Sequence, residues 1–356
     1  MEFLLRSNAI SFPNFPFIRS MTKGLFLRFI VLTCCVHIAT MGKAQWKDPV
    51  EELLKKVVKE ERVPADLLAK KSVLLFDPSI KGQHLDDIQQ IFQKTGIDVV
   101  LHYPMDVPAS NEDVNKVFVN YLNARDISFL IFLKQRASLF EFLFIPFNRK
   151  SNWADAGQSA WHVSGLDLNS TLESIYRVAL SSQKKKNLLI IESPEKELNL
   201  DPVTGNRNEF FTLDLKVDKL AVIRTGVKEV DQQMEDYIKL KYPFSFTVFE
   251  AGSDEQQIRS KGFLYTLKAI RCRNIAAMDL LGYDLGNVGH RIKGVTFING
   301  NLEETSLPAD EIVYKFYFKH LTNGNIYLGT KWDAAVSWQQ ALDNQIQGVR
   351  ATFGIR

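Results

Sequence analysis

The chain has 356 residues, of which 44 are Lys or Arg and 41 are Asp or Glu, and its formal net charge is +3 at pH 7. This length suggests about two domains and can bury a core without disulfides. The basic excess belongs to the first 44 residues, because residues 45–356 carry 39 basic and 40 acidic side chains. A near-neutral surface argues against nucleic acid as the main partner, since binding phosphates needs excess positive charge.

Residues 1–44 have the pattern of an export leader, with a signal peptide at 21–44. Lys23 supplies the positive charge, and an apolar stretch covers residues 29–39. Gly42 and Ala44 then place small residues at both positions that a signal peptidase reads. The pattern predicts cleavage before Gln45 and export to the periplasm or cell envelope.

A membrane anchor and a lipoprotein are the alternatives to cleavage. A spanning helix needs about 20 apolar residues, and Arg28 interrupts this run near its start. Lipidation at Cys34 is a minority alternative, because Thr33 is large for the position before a lipidated cysteine. Met1 and Met21 both stay open as the start of the chain.

The cysteines indicate a fold without disulfides. Cys34 and Cys35 leave with the leader, and Cys272 alone remains. With one Asn-x-Ser/Thr site, at Asn169, this favours a bacterial envelope over a eukaryotic secretory route.

The mature chain alternates predicted strands and helices. Residues 45–70 are predicted to be a helical spacer, with a helix over 48–70 that Pro64 ends or restarts. The first α/β unit covers 71–195, a linker follows at 196–218, and a second α/β unit covers 219–356. Its insertion at 274–310 is rich in glycine and holds an Asn299-Gly300 turn.

Apolar periodicity, capping residues and turns predict the elements of both units. The first unit is predicted to contain, in order, a strand at 73–76, a helix ending at Gly96, a strand at 97–103, a helix capped by Ser110, strands at 127–133 and 139–147, a helix at 168–180 and a strand at 188–191. The second is predicted to contain a strand at 220–223, a helix through Val230 and Ile238, a strand at 244–250, a helix capped by Ser253, strands at 263–270 and 311–321, an Asn323-Gly324 hairpin into 326–332 and a helix from Trp338.

The order of elements in the two units suggests a duplication. Matched positions are 149, 147 and 143 residues apart: Val73 with Val222, Ile97 with Phe244, and Ser110 with Ser253. We therefore predict an α/β fold, with α+β as the alternative, made of two similar small βαβαββ(β)α units in tandem. The competing explanation is that any two α/β domains look alike at this level.

The sequence offers few candidates for catalysis or for cofactor and metal binding. Gly282, Gly286 and Gly289 with Lys293 lack the order of a phosphate-binding loop. The histidines of the mature chain show no metal-ligand spacing; they are His84, His102, His162, His290 and His320. We predict no catalytic, cofactor or metal residues.

The alternative of a hydrolase with dispersed catalytic residues rests on His102, Asp106 and the glycine-bearing insertion at 282–294. His102 and Asp106 follow each other near the end of a predicted strand, which is where α/β folds place many active sites. Cys272 lies between Arg271 and Arg273, and neighbouring positive charge lowers a thiol pKa. Alternation along a strand gives Cys272 the face of Ile270 instead, which predicts a buried, unreactive thiol.

Tryptophans follow a predicted strand pair in each unit. Trp153 and Trp332 could form a partner surface or cover the end of each core, and both alternatives stay open, whereas Trp338 is predicted to be core.

The stretch Lys315–Ile326 reads KFYFKHLTNGNI and resembles the hairpin of the TolB amino-terminal and curli-secretion lipoprotein type of α/β module. The resemblance covers about residues 219–350, and His320 stands where that family usually has Asp. The stretch Lys94–Val100 similarly resembles a TPM domain. The resemblance implies a non-catalytic role in assembling envelope machinery and assigns no site residues.

From these observations we expect an exported binding or assembly module of the bacterial cell envelope with an envelope protein as partner, and an enzyme is not favoured. Association with the membrane surface is compatible with this assignment, and the oligomeric state stays open.

Overall fold

The first half of the structure is built around one six-stranded sheet. The computed structural model describes residues 46–182, 187–286 and 288–355, so the predicted signal peptide and cleavage site lie outside it. In chain order the elements of the first half are α1 (Pro49–Lys56), β1 (Val58–Glu60), β2 (Lys71–Phe76), α2 (Gly82–Thr95), β3 (Asp98–Pro104), α3 (Glu112–Ala124), β4 (Ile127–Arg136), β5 (Leu139–Pro146), β6 (Ser159–Gly165) and α4 (Leu168–Ser182).

The second half contains another six-stranded sheet and a separate two-stranded hairpin. Its elements are β7 (Arg207–Asn208), β8 (Leu220–Ile223), α5 (Lys228–Lys241), β9 (Phe246–Phe249), α6 (Glu255–Ser260), β10 (Tyr265–Arg273), α7 (Asn274–Leu280), β11 (Arg291–Ile298), β12 (Asn301–Pro308), β13 (Ile312–His320), β14 (Ile326–Tyr327) and α8 (Trp338–Thr352). The hairpin β11–β12 and α7 occupy the predicted insertion.

The two six-stranded sheets have the same strand order and the same directions. The orders are β1-β6-β5-β4-β2-β3 and β7-β14-β13-β10-β8-β9. In each sheet three mutually parallel strands lie at one end. The next two strands each run antiparallel to the strand before them, and a short strand parallel to its neighbour forms the other edge. The predicted α/β fold class is confirmed.

Several predicted elements differ from the structure. The predicted helix at 48–70 ends at Lys56, because the chain turns there into β1, which pairs with β6. Residues 188–191 form no strand, and Leu188 is 96% exposed. Asn111, not Ser110, caps α3, since the Asn111 side chain accepts the Val114 N–H. Asp254 stands at the cap position of α6, where Ser253 was expected.

The predicted spacer and linker take part in the sheets. The spacer contributes β1 and the linker contributes β7, each as the edge strand of its sheet. From Trp46 onward the chain forms a single compact unit. No helix in the described ranges is long and apolar enough to span a membrane.

One hydrophobic core joins the halves. It contains Val73, Phe118 and Leu130 from the first half together with Ile270 and Val313 from the second. A second core lies within the first half, under α2 and α4. Burying apolar surface from both sheets in the same core couples their stabilities.

Candidate functional site

Helix α1 lies where the two halves meet. Asp48 caps the helix by accepting the Val50 and Glu51 N–H groups, and its other carboxylate oxygen accepts from Arg271 of β10 at 2.9 Å. The Trp46 ring packs on Tyr314 and on Phe316 of β13, at centroid distances of 5.9 and 6.2 Å. Helix α1 is therefore attached to the second sheet.

The loop after β3 forms hydrogen bonds with the part of the β10 edge that β8 leaves unpaired. Only residues 265–267 of β10 pair with β8, so the following residues of that edge need other partners. The Arg271 N–H donates to the Ser110 carbonyl at 3.0 Å, and the Arg273 N–H donates to the Asp106 carboxylate at 2.9 Å. The first half thus satisfies backbone groups of the second.

Four charged side chains form a paired cluster beside this loop. Lys319 lies 2.9 Å from Asp113 and 3.0 Å from Glu255, and Lys268 lies 2.6 Å from Glu255. Burial lowers the pKa of Lys268, but Asp113 and Glu255 outweigh it and the net pKa is raised. Since two cations face two carboxylates, the cluster acts as a structural link between the halves.

A cavity of about 690 Å³ opens between α1, the start of α3 and the second sheet. Its apolar wall is formed by residues of both halves, including Trp46, Leu53, Val222, Met234, Leu267 and Phe316. A volume of a few hundred Å³ with mainly apolar walls is typical of sites that bind small ligands or inserted side chains. We call this space the interhalf cleft.

The cations that line the interhalf cleft are mostly neutralised by carboxylates. Arg224 pairs with Glu235 at 3.2 Å and with Glu250 at 2.5 Å. Arg271 pairs with Asp48 and Lys268 with Glu255, as described above. Within the described ranges Lys56 and Glu112 have no ion-pair partner, and their charges are opposite. The cleft therefore suits an uncharged, mainly apolar ligand.

A smaller cavity of about 330 Å³ lies at the carboxyl ends of β2 and β3. It is lined by acidic and basic side chains, among them Asp77, Asp106 and Lys134. Burial lowers the pKa of Lys134, and its ammonium is paired with Glu51 of α1. Asp106 holds Arg273 through one oxygen, and its other oxygen is buried without a hydrogen bond.

His102 and Asp106 do not form a catalytic pair in this structure. The His102 ring lies 3.2 Å from the Gln89 side chain of α2, whereas Asp106 binds Arg273 of β10. His102 is 2% exposed, and burial, reinforced by Lys196, lowers its pKa to about 4. The ring is thus neutral at pH 7 and serves the packing between β3 and α2.

Both tryptophans proposed for a partner surface are buried. The Trp153 indole N–H donates to Asn115 at 2.7 Å, and Trp332 donates to Asn274 at 2.9 Å. Their exposed fractions are 4% and 7%. All three tryptophans, Trp338 included, are buried, and Trp153 also lines the interhalf cleft.

The remaining candidates also have structural surroundings. Cys272 is fully buried with Ile270 in the shared core, and burial raises its pKa well above the usual value. No group of His, Cys, Asp and Glu within the described ranges could hold a metal ion. The glycine-bearing segment from Gly282 leads into β11, and the Val295 N–H there donates to the Trp332 carbonyl at 2.7 Å.

Comparison with known proteins adds no relative. No protein-family model matches the chain, and no curated protein matches it in sequence. The resemblance of residues 219–350 to the TolB amino-terminal and curli-secretion type of module, like that of Lys94–Val100 to a TPM domain, stays a prediction.

Sequence reasoning did not find the interhalf cleft. Its walls come from segments as distant as Trp46 and Phe316, and no local pattern brings these together. One signal was available. Trp46 stands in the predicted helical spacer, and tryptophan side chains are highly buried on average, which indicates a surface that packs on it.

Proposed function

We propose that this protein is an exported binding module of the bacterial cell envelope, and that it binds apolar side chains of an envelope protein in the interhalf cleft. The cleft carries this proposal, because both halves build it, its walls are mainly apolar, and most of its charges are already paired. A partner inserted there buries apolar surface while most of the charges around it keep their carboxylate partners.

Export rests on the sequence of the leader. The compact unit starts at Trp46, so cleavage before Gln45 would leave its contacts with Tyr314 and Phe316 in place. The small number of cysteines in the mature chain agrees with a bacterial route.

Duplication of one α/β unit is part of the same proposal. The shared strand order of the two sheets supports it. The position of α7 and β11–β12 also supports it. These elements are inserted between β10 and β13, and the strand order of the second sheet is the same as that of the first. Two copies packed through one core create a cleft between them, which a single copy would lack.

The alternative hypothesis of a hydrolase lacks support from His102 and Asp106. His102 faces Gln89 and Asp106 faces Arg273, so neither is placed to act on a substrate held by the other. No observation of the structure favours this alternative over binding.

A photocrosslinking experiment in the native envelope tests the proposal. A benzophenone amino acid replaces Leu53, which lines the cleft, and in a matched variant it replaces Leu166, which is 73% exposed and lies elsewhere. We expect one protein partner to be crosslinked from position 53 and not from position 166. The same products from both positions, or no product from position 53, would contradict the proposal.

A further inference from the structure

The outer edge of β9 is open. The Ser245 and Phe249 carbonyls accept from Leu220 and Arg224 of the neighbouring chain at 3.0 and 2.9 Å. Successive residues of a strand turn their backbone groups to opposite sides, so Phe246 and Val248 turn theirs away from β8. Within the described ranges no backbone or side-chain group pairs with this outer edge.

The corresponding edge of the first sheet is covered by the chain itself. The His102 N–H donates to the Glu195 carbonyl at 2.9 Å, and the Glu195 N–H donates to the Val100 carbonyl at 3.0 Å. Leu101 and Glu195 thereby form a parallel bridge. The segment around Glu195 thus lies along β3 and pairs with it through one parallel bridge.

Side chains of the flanking helices hold this covering segment in place. On one side Gln89 and Gln93 of α2 donate to the carbonyls of Ile191 and Glu192. On the other side Tyr121 of α3 donates to the Glu195 carboxylate at 2.9 Å.

An ion pair also holds the covering segment in place. Arg125 directly follows α3 and forms an ion pair with Glu195. The segment Glu192–Leu198 contains three glutamates and one lysine, so it is acidic overall. The edge of β3 therefore combines strand pairing with a cation beside it.

The outer edge of β9 has similar surroundings, and no segment of the described ranges covers it. Lys261 directly follows α6, just as Arg125 follows α3. Its ammonium lies 5.3 Å from the centre of the Phe249 ring. Within the described ranges Lys261 has no ion-pair partner, so a cation without a carboxylate lies beside β9.

We propose that the outer edge of β9 binds an extended acidic segment of a partner protein, which adds a strand to the second sheet. The open N–H and C=O groups of Phe246 and Val248 supply the backbone pairing. Lys261 supplies the attraction for carboxylates. The surface does not include the wall of the interhalf cleft, so the two proposals can fail separately.

The probe for this edge is a fluorescent peptide with the sequence of residues 191–199, IESPEKELN, because that segment covers the corresponding edge of β3. Its binding to the full chain is followed by fluorescence anisotropy, and protection of the Phe246 and Val248 amides is followed by hydrogen exchange. We expect saturable binding with both amides protected on addition of the peptide.

Three variants locate the binding site. Lys261→Glu should weaken peptide binding at least about tenfold, because it turns attraction into repulsion. Val248→Pro should weaken it similarly, since it removes an outward N–H and leaves the pairing with β8 intact. Lys81→Glu is the matched control on an exposed lysine of the first half and should bind like the wild type. The unfolding midpoint of each variant shows that it is folded.

Other results would overturn the proposal. Absence of saturable binding, or equal weakening by Lys81→Glu, would exclude an acidic strand at β9. Protection of both amides in the monomeric chain without peptide would show that the chain covers this edge itself. Protection that grows with protein concentration, together with dimer formation, would assign the edge to a second copy.

Discussion

Arg273 donates both its backbone N–H and its side-chain Nε to one carboxylate oxygen of Asp106, at 2.9 and 3.0 Å. This pair joins the loop after β3 to the end of β10, and only 8% of the Asp106 side chain is exposed. The contact therefore links the two halves in surroundings where water screens charges weakly.

Replacing Asp106 by Asn should destabilise the whole chain. The variant leaves the Arg273 guanidinium without its carboxylate, although Arg273 stays partly in contact with water, so we expect a loss of roughly 2–3 kcal/mol in the free energy of unfolding. Urea denaturation measures it. Asp126→Asn is the control, because the Asp126–Arg149 pair is largely exposed and should change stability by less than about 1 kcal/mol. Equal effects of the two changes would contradict this role for Asp106.

The two halves should unfold together. Their shared core contains Val73 and Leu130 together with Ile270 and Val313, so each sheet loses this shared core when the other unfolds. We expect one transition, with the same midpoint by tryptophan fluorescence and by circular dichroism. Ile270→Ala should lower that single midpoint without splitting it. Two separate transitions would show that the halves are independent.

Acid should weaken the fold through His102. Burial lowers the pKa of His102 from about 6.5 to about 4 in the folded chain, so the unfolded chain binds the proton more tightly. Above about pH 6.5 the neutral ring makes its full contribution to the free energy of unfolding. This contribution, up to about 3 kcal/mol, is lost as the pH falls to about 4. The difference in unfolding free energy between wild type and His102→Gln should shrink over this range. A difference that is constant between pH 7 and pH 4 would contradict this account.

Local patterns in the sequence predicted most of the fold. The helix predicted to follow Ser110 corresponds to α3, and its apolar side chains Val114, Phe118 and Leu122 are buried. Gly96 ends α2 with φ at 98°, a conformation that glycine adopts readily. The Asn299-Gly300 turn between β11 and β12 was also predicted, and both residues have positive φ.

Local patterns did not predict the elements that depend on residues far away in the sequence. Val58–Glu60 became a strand because β6 pairs with it about 100 residues later, and a charged helical pattern hides that pairing. Residues 188–191 are apolar enough for a strand, yet the chain there crosses helix α2 and accepts a hydrogen bond from Gln89. The interhalf cleft depends on how the two sheets pack, which neither half specifies alone.

Export should leave a mature chain that starts at Gln45. Gly42 and Ala44 provide the small residues for cleavage. Intact-mass measurement of the exported protein should give the mass of residues 45–356, and an Ala44→Arg variant should accumulate uncleaved. A full-length product in the cytoplasm would contradict export, and a diacylated Cys34 would replace cleavage by lipidation.

The measurement that tests the interhalf cleft most directly is a titration with N-phenyl-1-naphthylamine, an uncharged apolar dye whose fluorescence rises in apolar surroundings. Ala269 lines the cleft and pairs with Phe316 across the strands, so Ala269→Trp should fill the space. Ala65 is exposed and does not line the cleft, so Ala65→Trp is the matched control. We expect one dye per wild-type chain, unchanged binding by Ala65→Trp and at least about tenfold weaker binding by folded Ala269→Trp. Equal binding by both variants, or no saturable binding by the wild type, would contradict the account.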